Sequence, residues 1–152
     1  MPLNRAFLGR VIHSAEPLEV TAGDIRRFAT AIGDHNLAYH DSATARSLGY
    51  RDVVAPPTFL IGFSTETGSA VLLDPELGLD YTYVVHGEQS FDLLGPVCAG
   101  DVLTAEVHVV RIEDAGRNEL IELVTELRSP AHHVATARTT VVSRGTAAKV
   151  SV

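Results

Sequence analysis

The chain has 152 residues, 45% of them hydrophobic and 20% charged, with a formal net charge of -7. That length suits one domain able to bury roughly 68–70% of its unfolded surface, and the balance of residues is that of a globular protein rather than a disordered one. No dense lysine or arginine cluster is present to track a phosphate backbone, and no apolar run nears the ~20 residues of a membrane span, so neither nucleic acid nor a bilayer is expected as partner. Cys98 is the single cysteine and has no internal disulfide partner. The N-terminal residues lack a basic segment followed by an apolar run, and the expected location is cytoplasmic.

Val11 and Ile12, ahead of Pro17, predict a short strand or an extended lead-in. From Thr21 the pattern becomes helical: Thr21 stands as N-cap with Asp24 three residues on, and Ile25, Phe28, Ala29 and Ile32 recur at helical spacing until Gly33. Asp41 opens a small helix through Ala45 and Leu48, closed by Gly49. Pro56 and Pro57 then introduce a helix over roughly Thr58 to Leu73, apolar nearly all round in its first two turns through Phe59, Leu60, Ile61 and Phe63, and so expected inside the fold.

Four β-like stretches follow, about Tyr81 to Leu94, Val102 to Ile112, Glu119 to Arg128 and Val134 to Ser143. In the second, Leu103, Ala105, Val107 and Val109 alternate with polar residues, the pattern of a strand with one buried face. Turn residues over 114–118 and at Ser129-Pro130 predict an antiparallel meander. Helices first and strands second predict an α+β domain over 1–145, a curled antiparallel sheet wrapped around one central apolar helix, with a loose tail at 146–152. Exposed edges of such a sheet predict a dimer that extends it.

The polar loop Gly33-Asp34-x-Asn36 … Tyr39-His40-Asp41, the segment Gly49-Tyr50 … Val54-Ala55-Pro56-Pro57-Thr58-Phe59, and Gln89-x-Phe91 … Pro96-Val97-x-Ala99-Gly100-Asp101-x-Leu103 together resemble the MaoC-like dehydratases. Within that family they look most like the N-terminal-type subgroup containing actinobacterial hydroxyacyl-ACP dehydratase subunits. The resemblance implies a hot-dog fold and an (R)-specific hydratase or dehydratase acting on enoyl or 3-hydroxyacyl thioesters of coenzyme A or acyl carrier protein. Asp34 and His40 match the acid–base pair that activates water, since a histidine beside a carboxylate both takes and returns a proton near neutral pH. Asn36 and Tyr39 stand as supporting residues, the Thr58 and Phe59 amides as donors to the thioester oxyanion, and Pro57 and His86 as tunnel lining. No cofactor and no metal are implied.

The sequence departs from the family motif at one point. Gly-Asp-x-Asn-Pro-Leu-His places the histidine five residues after the aspartate; here Tyr39 holds that position and His40 follows it. A second expectation is therefore a substrate-holding subunit in a heterodimer with a related, catalytic hot-dog chain, and a weaker third is a hot-dog thioesterase. Arg10, Arg26, Arg51 and Arg144 are open candidates for carrier contacts. His132-His133 are adjacent residues that diverge, Cys98 has no partner base, and serine-hydrolase, phosphate-loop and dinucleotide motifs are absent.

Overall fold

The computed structural model describes residues 1–147. Two short strands, β1 (Val11–His13) and β2 (Leu18–Glu19), precede helices α1 (Ala22–Ala31), α2 (Ser42–Ser47) and α3 (Ile61–Leu72). Four long strands follow: β3 (Val84–Leu93), β4 (Val102–Ala115), β5 (Asn118–Arg128) and β6 (His133–Ser143). All the strand pairs are antiparallel, in the order β1-β4-β5-β6-β3, with β2 also on β4.

Only β4, β5 and β6 form the meander expected of all four long strands. β3 pairs instead with β6, from Val84 opposite Ser143 to Leu93 opposite Ala135. The cause lies in the connection that leaves β3. Instead of turning back, it runs past the segment before α3, where the Ala55 amide donates to the Val97 carbonyl at 2.7 Å and the Ala99 amide to the Val53 carbonyl at 3.0 Å. Gly100, at φ +94, then turns the chain into β4 on the far side of the sheet. One residue of β3, Gly87, has no partner: His86 pairs with Val141 and Glu88 with Thr140, which makes a β-bulge. A Cβ at Gly87 would lie 3.0 Å from Val142 Cγ2.

α3 packs against β4, β5 and β1. It starts at Ile61, later than the expected Thr58, because Pro56 to Leu60 form a turn in which the Phe59 amide donates to the Pro56 carbonyl (3.0 Å) and the Ile61 amide to that of Thr58 (3.1 Å). The apolar run is thus divided between turn and helix, and α3 is two-faced rather than apolar all round. Phe63, Ser64, Thr67, Gly68 and Val71 are buried, while Gly62, Thr65 and Glu66 are exposed. Gly68 allows close approach: a Cβ there would sit 3.2 Å from Leu123 Cδ1 of β5. Phe63 joins one core cluster with Ile25, Val53, Leu103 and Leu127; Val71 joins another with Phe7, Val107, Ile121 and Leu123.

Around Tyr81–Tyr83, where a strand is expected, the chain makes a 3₁₀ turn whose first amides are met by Asp80. β5 carries Glu119 on its inner face, fully buried; its carboxylate accepts the Leu3 amide with both oxygens at 3.0 Å and Arg5 Nη2 at 2.9 Å. In the expected tail, Thr146 Oγ1 donates to the Ser143 carbonyl and the Ala147 amide to that of Arg117, while 148–152 lie outside the described residues.

Candidate functional site

The polar loop is built by its own side chains. Thr21 Oγ1 accepts the Asp24 amide to start α1, and Gly33, at φ +73, ends it as a left-handed residue. Asp34 Oδ1 then accepts the Asn36 amide, and Asn36 Oδ1 the Ala38 amide, both at 3.0 Å, setting up a 3₁₀ turn over Leu37–Tyr39. His40 Nε2 donates to the Asp34 carbonyl oxygen at 2.9 Å, and the His40 carbonyl accepts Arg26 Nε from α1, also at 2.9 Å. Asp41 accepts the Thr44 amide and hydroxyl, both at 2.7 Å, and so caps α2. Asp34, Asn36 and His40 each therefore close a main-chain hydrogen bond of the loop.

Beside this loop is a pocket of about 190 Å³. Its walls are Tyr39 from the loop, Tyr50, Val54, Ala55, Pro56, Pro57 and Leu60 from the approach to α3, and Leu93 with Gly95, Pro96 and Val97 after β3. The three segments singled out in the sequence thus meet here, and the pocket side chains that bear polar atoms are the phenols of Tyr39 and Tyr50. Neither Asp34 nor His40 is among the lining residues. Burial pushes the Tyr39 phenol above its ordinary pKa, and the neighbouring charge of Asp34, with Tyr50, pushes it the same way. Tyr39 is therefore a protonated hydroxyl at neutral pH, able to donate a hydrogen bond. Of the lining residues, Tyr50, Pro96 and Val97 fall within the motifs that carry the family resemblance, whereas no sequence motif points to Leu93 or Gly95.

The remaining candidates lie elsewhere. Thr58 and His86 line a wider groove of about 490 Å³ along the inner side of β3, with Ile61 and Gln89, and His86 Nε2 is 3.2 Å from Gln89 Oε1. The Thr58 amide has no hydrogen-bond partner among the described residues, whereas the Phe59 amide is engaged by Pro56, so the expected pair of free oxyanion donors is not present. The Phe59 ring instead meets Phe28 edge-on at 5.6 Å. The four arginines are held within the chain. Arg10 stacks over Phe7 and faces Asp74, Arg26 holds His40, Arg51 grips Asp101 at 2.6 and 2.9 Å, and Arg144 reaches the Tyr83 carbonyl. His132 and His133 do not converge: the His132 main chain bonds Ser129, and His133 Nε2 reaches the Ala135 carbonyl. Cys98 is buried.

A family model described as "FAS1-like, dehydratase domain region" matches residues 6–137. The chain belongs to this FAS1-like dehydratase family. A UPF0336 protein of Thermobifida fusca is similar to this dehydratase-family chain, at 45% identity over 148 residues and 97% of each chain. Among solved structures, a MaoC-like dehydratase superposes with a TM-score of 0.85 at 28% identity, over 91% of this chain and 42% of that one. The HadBC (3R-hydroxyacyl-ACP dehydratase) complex of Mycobacterium tuberculosis matches with a TM-score of 0.81 at 23% identity, over 90% of this chain and 96% of that one. The fold of this dehydratase-family chain is the hot-dog fold, a curled antiparallel sheet packed on one central helix.

Proposed function

We propose that the chain is the substrate-holding subunit of an (R)-specific enoyl/3-hydroxyacyl thioester dehydratase, pairing with a related hot-dog chain that supplies the acid–base residues. One observation carries this reading: the residue of the polar loop that lines the pocket is Tyr39, while His40 is turned back onto the Asp34 carbonyl. Adding or removing water across a C2–C3 bond needs a group that takes and returns a proton near pH 7. A phenol whose pKa is raised does not do so, but it donates a hydrogen bond to a thioester or hydroxyl, and the apolar walls suit an acyl chain. Coenzyme A and acyl carrier protein are both admissible carriers. No helix among the described residues is long and apolar enough to cross a membrane, and the proposed setting is the cytoplasm.

β3 supports a two-chain assembly. It is an edge strand of ten residues on which Val85 and Leu93 are 43% and 48% exposed, a surface fit to extend the sheet with a second chain. That a HadBC complex is among the similar structures supports a partner different from the chain itself.

A homodimeric hydratase using Asp34 and His40 is the second reading. It is favoured by the tautomer: with Nε2 donating to the Asp34 carbonyl, Nδ1 of a neutral His40 is the basic nitrogen, and Asp34 Oδ2 has no hydrogen-bond partner among the described residues. The test follows the conjugated-thioester absorbance of trans-2-enoyl-CoA with the chain alone, and with a catalytic MaoC-like subunit co-purified with it. Turnover only in the two-chain complex is expected. Hydration by the chain alone, abolished in His40→Ala, overturns the proposal in favour of the homodimer; release of free thiol would indicate the thioesterase.

A further inference from the structure

The face of the sheet turned away from α3 carries a second cluster of ligating groups that the dehydratase reading does not use. Along β4, the buried residues Leu103, Ala105, Val107 and Val109 alternate with Glu106 and His108, which therefore project together from the outer face. In the neighbouring strand Glu126 stands directly opposite Glu106. Two carboxylates paired across adjacent strands repel each other and need a counter-cation.

The cations at hand answer this incompletely. Arg128 Nη2 takes one oxygen of Glu126 at 2.6 Å. His108 Nε2 lies 2.7 Å from Glu106 Oε1, yet it is shut off from solvent and has no partner in hydrogen-bond geometry among the described residues. One donor atom each from Glu106, His108 and Glu126 falls within 4.8 Å of the others. Across β1, His13 Nδ1 is 3.4 Å from Glu106 Oε2, outside that group of three. The positions belong to hydrogen-bonded strands, so the ligands are held by the sheet rather than by a mobile loop.

We propose that Glu106, His108 and Glu126 form a binding site for a divalent transition-metal ion, with Zn²⁺ the best match. Imidazole nitrogen with two carboxylates is a donor set that suits zinc, whereas magnesium and calcium favour oxygen alone. Tetrahedral zinc places its ligands about 3.3 Å apart, given bonds of roughly 2.0–2.1 Å, a separation these side chains reach by small rotations. A bound ion occupies the lone pair of His108 Nε2 and relieves the opposition of Glu106 and Glu126, bridging β4 to β5 far from the pocket.

The test is a titration of the chelator-treated full chain with ZnSO₄ by calorimetry, and with CoCl₂ by visible absorption, whose ligand-field bands report coordination geometry. One ion per chain is expected, with affinity weakened at least about tenfold in each of His108→Ala and Glu126→Gln, and unchanged in His132→Ala. The thermal midpoint is expected to rise with Zn²⁺ in the wild type and not in the two variants, whose folding is checked by circular dichroism. Absence of binding at millimolar Zn²⁺, or equal affinity in the variants, overturns the site. These readouts are independent of thioester turnover, so failure of the metal site leaves the proposed function standing, and the converse holds.

Discussion

His40 Nε2 and the main-chain oxygen of Asp34 are joined by a hydrogen bond of 2.9 Å, so the imidazole braces the loop while Tyr39 faces the pocket. In the two-chain complex, His40→Ala is expected to change kcat by less than about twofold while lowering stability by about 0.5–1.5 kcal/mol, the net value of one such bond. Tyr39→Phe removes the pocket hydroxyl and leaves the loop bond intact. It is expected to raise KM roughly three- to tenfold with kcat little changed, and steady-state kinetics on an enoyl thioester separates the two variants.

Asp101 ties the chain before β4 to the loop after α2. Burial raises its pKa, but hydrogen bonds from Arg51 and from the Cys98 amide outweigh burial and hold the carboxyl below its ordinary range. A carboxylate whose folded-state pKa is depressed stabilises the fold above its unfolded value, about 3.9, and loses that contribution as the pH falls through the folded value. Asp101→Asn is expected to cost about 1 kcal/mol at pH 7, a modest figure because Arg51 is largely exposed. The gap between variant and wild type in urea denaturation should narrow as the pH falls below about 3.9.

Glu119 anchors the N-terminal segment from inside the sheet. Glu119→Ala leaves the buried Leu3 amide without an acceptor, and the expected loss is about 1–3 kcal/mol. Hydrogen exchange at the Leu3 amide should accelerate in the variant, even where the rest of the chain keeps its protection.

Gly68 faces β5, where an added Cβ would sit 3.2 Å from Leu123 Cδ1. Gly68→Val places methyl groups against the buried Leu123, whose side chain must shift to admit them. The expected cost is about 1–3 kcal/mol from overpacking, read as a lower urea midpoint with an unchanged slope.

Much of this architecture is visible in local chemistry. Thr21, Gly33, Asp41 and Gly49 mark the ends of α1 and α2 because caps and left-handed glycines act within a few residues. The alternation of Leu103 to Val109 gives β4 and its buried face. What escaped was non-local. The placement of β3 beside β6 depends on backbone bonds between Val53–Ala55 and Val97–Ala99, which no residue pattern announces. Likewise, which of Tyr39 and His40 faces the pocket is set by the 3₁₀ turn that Asn36 initiates, where one residue rotates a side chain by about a third of a turn. The outer cluster of Glu106, His108 and Glu126 needed the β4–β5 register before it could be seen.

The unpaired Gly87 makes β3 change phase midway. Before it, Val84 and His86 sit opposite the buried Ser143 and Val141; after it, Gln89 and Phe91 sit opposite Thr139 and Ala137, so even-numbered residues point inward in the first part and odd-numbered ones in the second. His86 and Gln89, three apart and on opposite sides of a regular strand, thereby share one side and touch. Deleting Gly87 would remove the extra residue and leave a strictly alternating strand, with Val84, His86, Gln89 and Phe91 still on one side and the bend of the bulge lost. A partner strand laid along this edge must match the same change of phase, which limits the registers in which a second chain can join the sheet.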